Sequence, residues 1–349
     1  MAVNLFTLDS NVTQSAFTQG SLIGGRLSKE FEFTGAKTVR VMTPLTVPMN
    51  DYKREGLNRY GEPVEMQDIM QELTLTQDRS FALTIDKGNN ADQGYVKNAG
   101  KMLALQLIER AVPEFDRYVF DKLAHGAGTV YGSSETLTSK NICDRISAAT
   151  AVMDDSEVPS YNRTLFVSAQ GYKLLKHSDE FMAVSELGKD ALSKGVVGMY
   201  DNMSVVKVPA TRWVPGVNFL IVHKNSATAP VKLNETKLHR DPPGISGSLL
   251  EGREYYDYFV FAPRAVGIYV DVDTNIARVC DAPTISENGT VTGGVSGGVT
   301  LYTVDGTDPR YSASAAQGSP ASAPKGCTVK AIVRKDGRFD SAVVERAIV

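Results

Sequence analysis

Three cysteines, one tryptophan, four histidines and 37 basic against 40 acidic side chains leave this 349-residue chain short of what many functions require. Cys143, Cys280 and Cys327 lie far apart with no CxxC pair, which argues against a zinc site or a disulfide framework and suits a reducing compartment. A net charge of −3 carries no electrostatic footprint for tight nucleic-acid binding, although it is compatible with an inner surface that tolerates nucleic acid nearby. No apolar run approaches the ~18 residues of a membrane span. The N-terminal MAVNLFTLDSNVTQ has neither the basic nor the apolar region of a signal peptide, so the sequons at Asn11, Asn162, Asn202, Asn234 and Asn288 are read as chance and the chain as a cytosolic product. GxSxG, HExxH, GxxxxGK[ST] and GxGxxG are all missing, which removes the common hydrolase, metalloprotease and nucleotide-binding signatures.

What is present is patterned for assembly. Residues 37–43 alternate Val39 and Val41 with Thr38, Arg40 and Met42. The return run places Leu73, Leu75, Phe81, Leu83 and Ile85 on one parity, so two strands with one apolar face are expected. Between them NDYKREGLNRYGEP is too charged and too rich in turn residues to be core. A hairpin this long with little core of its own needs another surface to bury its apolar face. GNNADQG (88–94) is expected to be a turn. A helix follows from Tyr95, with Ala99, Met102, Leu103, Leu107 and Ala111 and then Phe115, Tyr118, Val119 and Leu123 at helical spacing; Pro113 should kink or break it and Gly126 and Gly128 end it.

Residues 1–30 read as an arm with the scattered anchors Phe6, Phe17, Leu22 and Ile23. Beyond residue 136 the expected elements are a helix over 140–153 capped by Thr138 or Ser139, a buried strand at 163–168, a short helix at 170–177, and strands at 204–208 and 218–223. A short helix is expected at 231–239, then a strand pair, 255–261 and 265–272, joined through Pro263. Helices interleave with strands without a regular βαβ repeat, so the class is α+β. After Cys280 the texture turns to Gly, Ser, Thr and Val, with strands at 299–304, 328–334 and 342–348 and Asp-Gly turns at 305–306 and 336–337. That describes a small all-β sandwich near the lower size limit of an independent core.

Candidate chemistry is thin. His177 near Asp179 and Glu180, or His239 near Asp241, would give a general base with an orienting carboxylate, but no nucleophile motif accompanies either and a polar loop or helix end is the plainer reading. PPGISG (242–247) lacks the lysine and helix of a phosphate cradle and is a turn. Asp271 and Asp273 share a strand face, yet a Ca²⁺ site wants more oxygen ligands. Asp154 and Asp155 read as an exposed helix end, and Trp213 as a buried anchor.

Two resemblances organise these parts. YTVDGTDP (302–309), followed by VKAIV (329–333) and DGRFDS (336–341), resembles the immunoglobulin-like C-terminal domain of chitobiases and hexosaminidases. There Asp305, Gly306, Asp308 and Pro309 would be scaffold residues of a tight turn. The module is an appendage in those enzymes, and residues 1–280 offer no carboxylate pair for glycoside hydrolysis.

The order of elements over residues 1–275 is similar to that of tailed-phage major capsid proteins of the Hong Kong 97 type. It rests on LTLTQDRSFALTIDKGNNADQG, on the helix containing Val112-Pro113-Glu114-Phe115-Asp116-Arg117-Tyr118, and on YYDYFVFAPRAVGIYV. The resemblance implies an N-terminal arm (1–30), an E-loop hairpin (31–94), a spine helix with peripheral domain (95–133), an axial domain (134–245), closing strands (246–280) and the immunoglobulin-like domain (281–349). It further implies an E-loop tip in which Asp51, Lys53, Arg54, Glu55 and Arg59 make intersubunit contacts.

The implied partners are copies of the chain as pentamers and hexamers, a separate scaffolding protein (since no charged helical extension precedes the arm), a portal, possible auxiliary capsid proteins, and enclosed double-stranded DNA touched without sequence preference. Lys53 or Lys87 could be suggested for a covalent cross-link, but no partner is identified. No cofactor, metal or catalytic residue is implied. Location in the virion, after assembly in the bacterial cytoplasm, follows from the same resemblance. An encapsulin-type nanocompartment or a carbohydrate-binding protein are the alternatives, and glycan or host-surface contact by the last domain is an added expectation.

Overall fold

The structure, a computed structural model, describes residues 18–30, 38–44, 49, 51–56, 58–61, 65, 68–92, 97–178, 196–312 and 314–348. The arm anchors Phe6 and Phe17 therefore lie outside the described residues, as do Asp179 and Glu180.

β1 (Thr38–Pro44) and β2 (Asp68–Thr74) pair antiparallel with Arg40 opposite Glu72. The expected single return strand is two. After Leu75 and Thr76 the chain bends into β3 (Gln77–Asp86), which leaves β1 and pairs instead with a strand nearly 170 residues on. The bend is held at Asp257, whose carboxylate accepts from the Thr76 amide and hydroxyl, both at 2.7 Å. Residues expected to form a turn begin with a short helix, α1 (Lys87–Asp92).

The long helix is α2 (Ala99–Gln106), a π-helical turn over Leu107–Ala111, and α3 (Val112–His125). Pro113 stands at the start of α3; it has no N–H to give to the preceding turn, and the widened turn just before it absorbs the mismatch. β4 (Thr129–Ser133) follows. Next, α4 (Ile142–Asp155) starts two residues later than expected, because Asn141 Oδ1 turns back to accept from the Thr138 amide at 2.7 Å. β5 (Arg163–Ser168) leads into α5 (Ala169–Lys176), where the Ser168 hydroxyl accepts from the Gly171 amide as an N-cap.

β6 (Val196–Tyr200), β7 (Met203–Val208) and β8 (Val217–His223) precede the two-residue β9 (Ala227–Thr228). The expected helix at 231–239 is a strand: β10 (Val231–Arg240) pairs along its length with β11 (Gly247–Tyr256), the strand that also pairs with β3. The expected late strand pair is also corrected. β12 (Phe259–Val260) pairs with β9, a 3₁₀ turn spans Ala262–Gly267, and β13 (Ile268–Asp273) enters a different sheet.

That sheet has the order β4-β13-β8-β5-β7-β6 and is the centre of the molecule. Side-chain alternation divides its residues between two cores. Phe166, Val206, Leu220, Val222, Ile268 and Val270 face Val119, Phe120 and Leu123 of α3 and Leu22 and Ile23 of the arm. Leu165, Val167, Val205, Phe219, Ile221 and Tyr269 face Ile142, Ile146 and Met153 of α4 and Leu175 of α5. Trp213 stays partly exposed at the rim of the first core, its indole N–H donating to the Val217 carbonyl at 2.7 Å.

The C-terminal stretch is all β. β14 (Thr284–Ile285) pairs with β15 (Val291–Thr292); β16 (Val299–Thr303), β17 (Ala316–Gln317), β18 (Thr328–Arg334) and β19 (Val344–Ala347) form a sheet in the order β17-β16-β18-β19. Its core is small: Ile285, Val291, Ala323, Val329, Ala331 and Ile348.

Candidate functional site

No catalytic constellation forms among the described residues. His177 caps the end of α5, and both acidic neighbours that suggested a base are outside the described residues. His239 faces Glu251 across the β10–β11 ladder at 3.2 Å, both side chains nearly half exposed, and not Asp241. Asp241 closes the 242–247 turn: its amide donates to the Gly247 carbonyl and its carboxylate accepts from the Gly247 amide at 3.1 Å. Asp271 is buried and taken up by Arg145 and by Asn218 at 2.7 Å, while Asp273 accepts from Asn275. Burial pushes the Asp271 carboxyl up against the pull of Asn218 and Arg145. Asp154, at the exposed end of α4, pairs with the buried Arg163 guanidinium at 2.6 Å. No group of three metal-ligating side chains occurs among the described residues, and no helix in them is long and apolar enough to cross a membrane.

What the sequence does build is a set of fastenings around the long helix. Asp116 is fully buried and accepts from the Ser21 hydroxyl (2.7 Å), the Leu22 amide (3.0 Å) and Arg212 Nη1 (2.7 Å). The same guanidinium donates to the Gln19 and Gly20 carbonyls. Arm, helix and the loop after β7 thus meet at one ion pair. Asp257, also buried, accepts from the Tyr118 hydroxyl at 2.6 Å, besides holding Thr76. Burial, and then this carboxylate, push the Tyr118 phenol well above its ordinary value. Composition and periodicity signalled neither hub; a lone Asp, within a helix like Asp116 or in a loop like Asp257, reads as solvated until its partners are seen.

The ribbon carrying the expected contact residues is different in kind. Its base is packed, with Val41, Leu73, Leu75 and Phe261 in one small core. Beyond that base Met42 is 60% exposed, Met49 99% and Tyr60 87%. Asp51, Lys53, Arg54, Glu55 and Arg59 are all exposed, and among the described residues none of them has an ion-pair partner. The tip closes on itself through the Lys53 amide to the Arg59 carbonyl (2.9 Å) and an edge-on Tyr52–Tyr60 contact at 5.0 Å. Three cations and two anions lie together on an arm with uncovered apolar side chains.

In the C-terminal turn, Asp305 Oδ1 accepts from the Thr307 amide at 3.0 Å, Gly306 takes φ 76°, and Asp308 Oδ1 accepts from the Arg310 amide at 3.0 Å, with Pro309 between them. The sequence did not reveal that the two residues after Pro309, Arg310 and Tyr311, reach out of the C-terminal β unit to carbonyls at the end of α3.

No family model matches the sequence, and no curated protein matches it. Solved structures do. A chain of Mycobacterium phage Che8 superposes with TM-score 0.63 at 17% identity, covering 78% of this chain and 99% of its own. The chain has the phage-capsid fold. The asymmetric unit of the bacteriophage PhiM1 mature capsid gives TM-score 0.57 at 14% identity, over 78% of this chain and 92% of the other. The capsid structure of the cyanophage P-SCSP1u gives 0.60 at 12%, over 76% and 92%. The α+β architecture of the Hong Kong 97 type expected from the element order is thus the observed one, with an all-β unit added at the C-terminal end.

Proposed function

We propose that this chain is the major capsid subunit of a tailed bacteriophage. Its copies join as pentamers and hexamers into an icosahedral shell around double-stranded DNA. The observation that carries this is coverage: phage chains match almost end to end, over 92–99% of their own length and 76–78% of this chain, at TM-scores of 0.57–0.63. The ribbon supports it independently, since a two-stranded element with exposed methionines and tyrosines is marginal alone and needs a neighbour to cover it. Each tip charge contributes little by itself; repetition around a closed shell makes such contacts count.

The role is structural, with no chemistry of its own and no cofactor, and the place of the protein is the virion after assembly in the host cytoplasm. A separate scaffolding protein, a portal and auxiliary capsid proteins are its expected partners, and a net charge of −3 suits a wall that touches DNA without gripping it. Residues 281–349 are an immunoglobulin-like decoration facing outward, available for glycan or host-surface contact.

Electron microscopy of the purified chain, alone and with its genomic neighbours, tests the class: closed shells or rings are expected, and dispersed monomers in both conditions overturn it. Particle diameter separates a phage head from an encapsulin-sized compartment. Reversing Lys53, Arg54 and Arg59 to Glu is expected to abolish shells while leaving the circular dichroism spectrum of the monomer unchanged. Shells of normal yield from that variant refute the assigned role of the tip.

A further inference from the structure

The end of α3 is unfinished within the capsid fold. The Gly126 amide closes the last turn on the Lys122 carbonyl, leaving the Gly126, Ala127 and Gly128 carbonyls pointing onward. Each is met by the C-terminal sandwich. Tyr311 Oη donates to Gly126 O, Arg310 Nη1 to Ala127 O at 2.6 Å, and Arg310 Nη2 to Gly128 O at 3.0 Å. The guanidinium is only 3% exposed and is held from behind by Asp308 at 2.6 Å. A buried, pre-oriented cation at a helix C-terminus satisfies orphan carbonyls and complements the helix dipole.

Two further contacts reinforce the joint. The Phe339 ring stacks on His125, the last residue of α3, at 4.4 Å and 6°. Phe339 is 3% exposed and belongs to the apolar cluster under the central sheet, not to the sandwich's own core. Its backbone also pairs with the connecting segment: the Phe339 amide donates to Arg278 O and the Cys280 amide to Phe339 O, both at 2.9 Å.

We propose that the C-terminal sandwich is a clamp, whose Arg310, Tyr311 and Phe339 cap the end of the long helix and fix the unit rigidly on the capsid fold. This goes beyond the capsid reading and does not depend on it, since every contact is within one chain. A tethered decoration would keep its apolar residues in its own core and leave the body's carbonyls to water. Here a core residue of the body is supplied from the appended unit, so the body is incomplete without it.

Amide hydrogen exchange on the full-length chain tests this, with one variant on each side of the joint, Phe339→Ala and His125→Ala. Exchange across residues 122–130 is expected to rise at least tenfold in both, while Thr328–Arg334 inside the sandwich keeps its protection. The conservative Arg310→Lys variant, which retains charge but not the two-pronged geometry, is expected to raise exchange at residues 126–130 by a smaller factor. Unchanged exchange over 122–130 in the His125 and Phe339 variants overturns the clamp. If Phe339→Ala unfolds the sandwich, loss of protection at 328–334 reveals it, and the His125→Ala result alone then decides.

Discussion

Replacing Asp116 by Ala removes the anion from the most enclosed ion pair among the described residues. Asp116 is fully buried, the Arg212 side chain is 3% exposed, and they are 2.7 Å apart. The substitution leaves the guanidinium without its counter-charge and strips acceptors from the Ser21 hydroxyl and the Leu22 amide. Breaking a buried pair by deleting one partner costs about 3–5 kcal/mol, a large share of the ~5–15 kcal/mol that holds a domain together. With an unfolding entropy of ~2.1 cal/mol/K per residue, 349 residues make ~0.7 kcal/mol/K. The expected fall in Tm is therefore about 4–7 °C, measured by calorimetry on unassembled chain. Asp116→Leu combined with Arg212→Met removes both charges and should recover much of the loss, because the desolvation of each ion disappears with it. A Tm for Asp116→Ala within about 1 °C of the unaltered chain refutes the reasoning, as does a double variant no better than the single one.

Two other outcomes follow from the same neighbourhood. A Cβ at Gly128 would sit 2.1 Å from the Ala265 carbonyl oxygen, which is backbone and has nowhere to go; Gly128→Ala should therefore destabilise by about 2 kcal/mol or more and lower the soluble yield, and a fully stable variant contradicts that close approach. The Asp121 carboxylate, hydrogen-bonded to His125, raises the imidazole pKa above 6.5 against its partial burial, with Asp340 adding to the same effect. A group whose folded pKa is raised contributes stability that is complete below its unfolded pKa and lost as pH rises through the folded value. Tm should therefore fall between about pH 6.5 and a point above it, the decline should flatten in His125→Ala, and the same decline in both chains rules His125 out as its source.

Sequence alone determined whatever depends on local pattern. Arg163–Ser168 and Thr328–Arg334 were legible as strands because β-branched and aromatic residues run together there, and α3 because its apolar spacing is helical. Pro113 announced a helix irregularity because proline has no amide proton whatever surrounds it. The succession of arm, ribbon, helix and mixed sheet was enough to indicate a capsid fold.

Tertiary structure decided which strands meet. VKLNETKLHR carries residues that favour a helix locally, yet it is a strand, because a ladder with β11 repays an extended backbone that no local preference selects. The return strand of the ribbon broke in two at Thr76 because a carboxylate 181 residues away holds its amide and hydroxyl. Asp116, Asp257 and Arg310 look alike in sequence, as ordinary charges among ordinary neighbours. Burial makes each a fastening, since a charge taken out of water must find its partners inside the protein, and only the folded chain brings those partners to it.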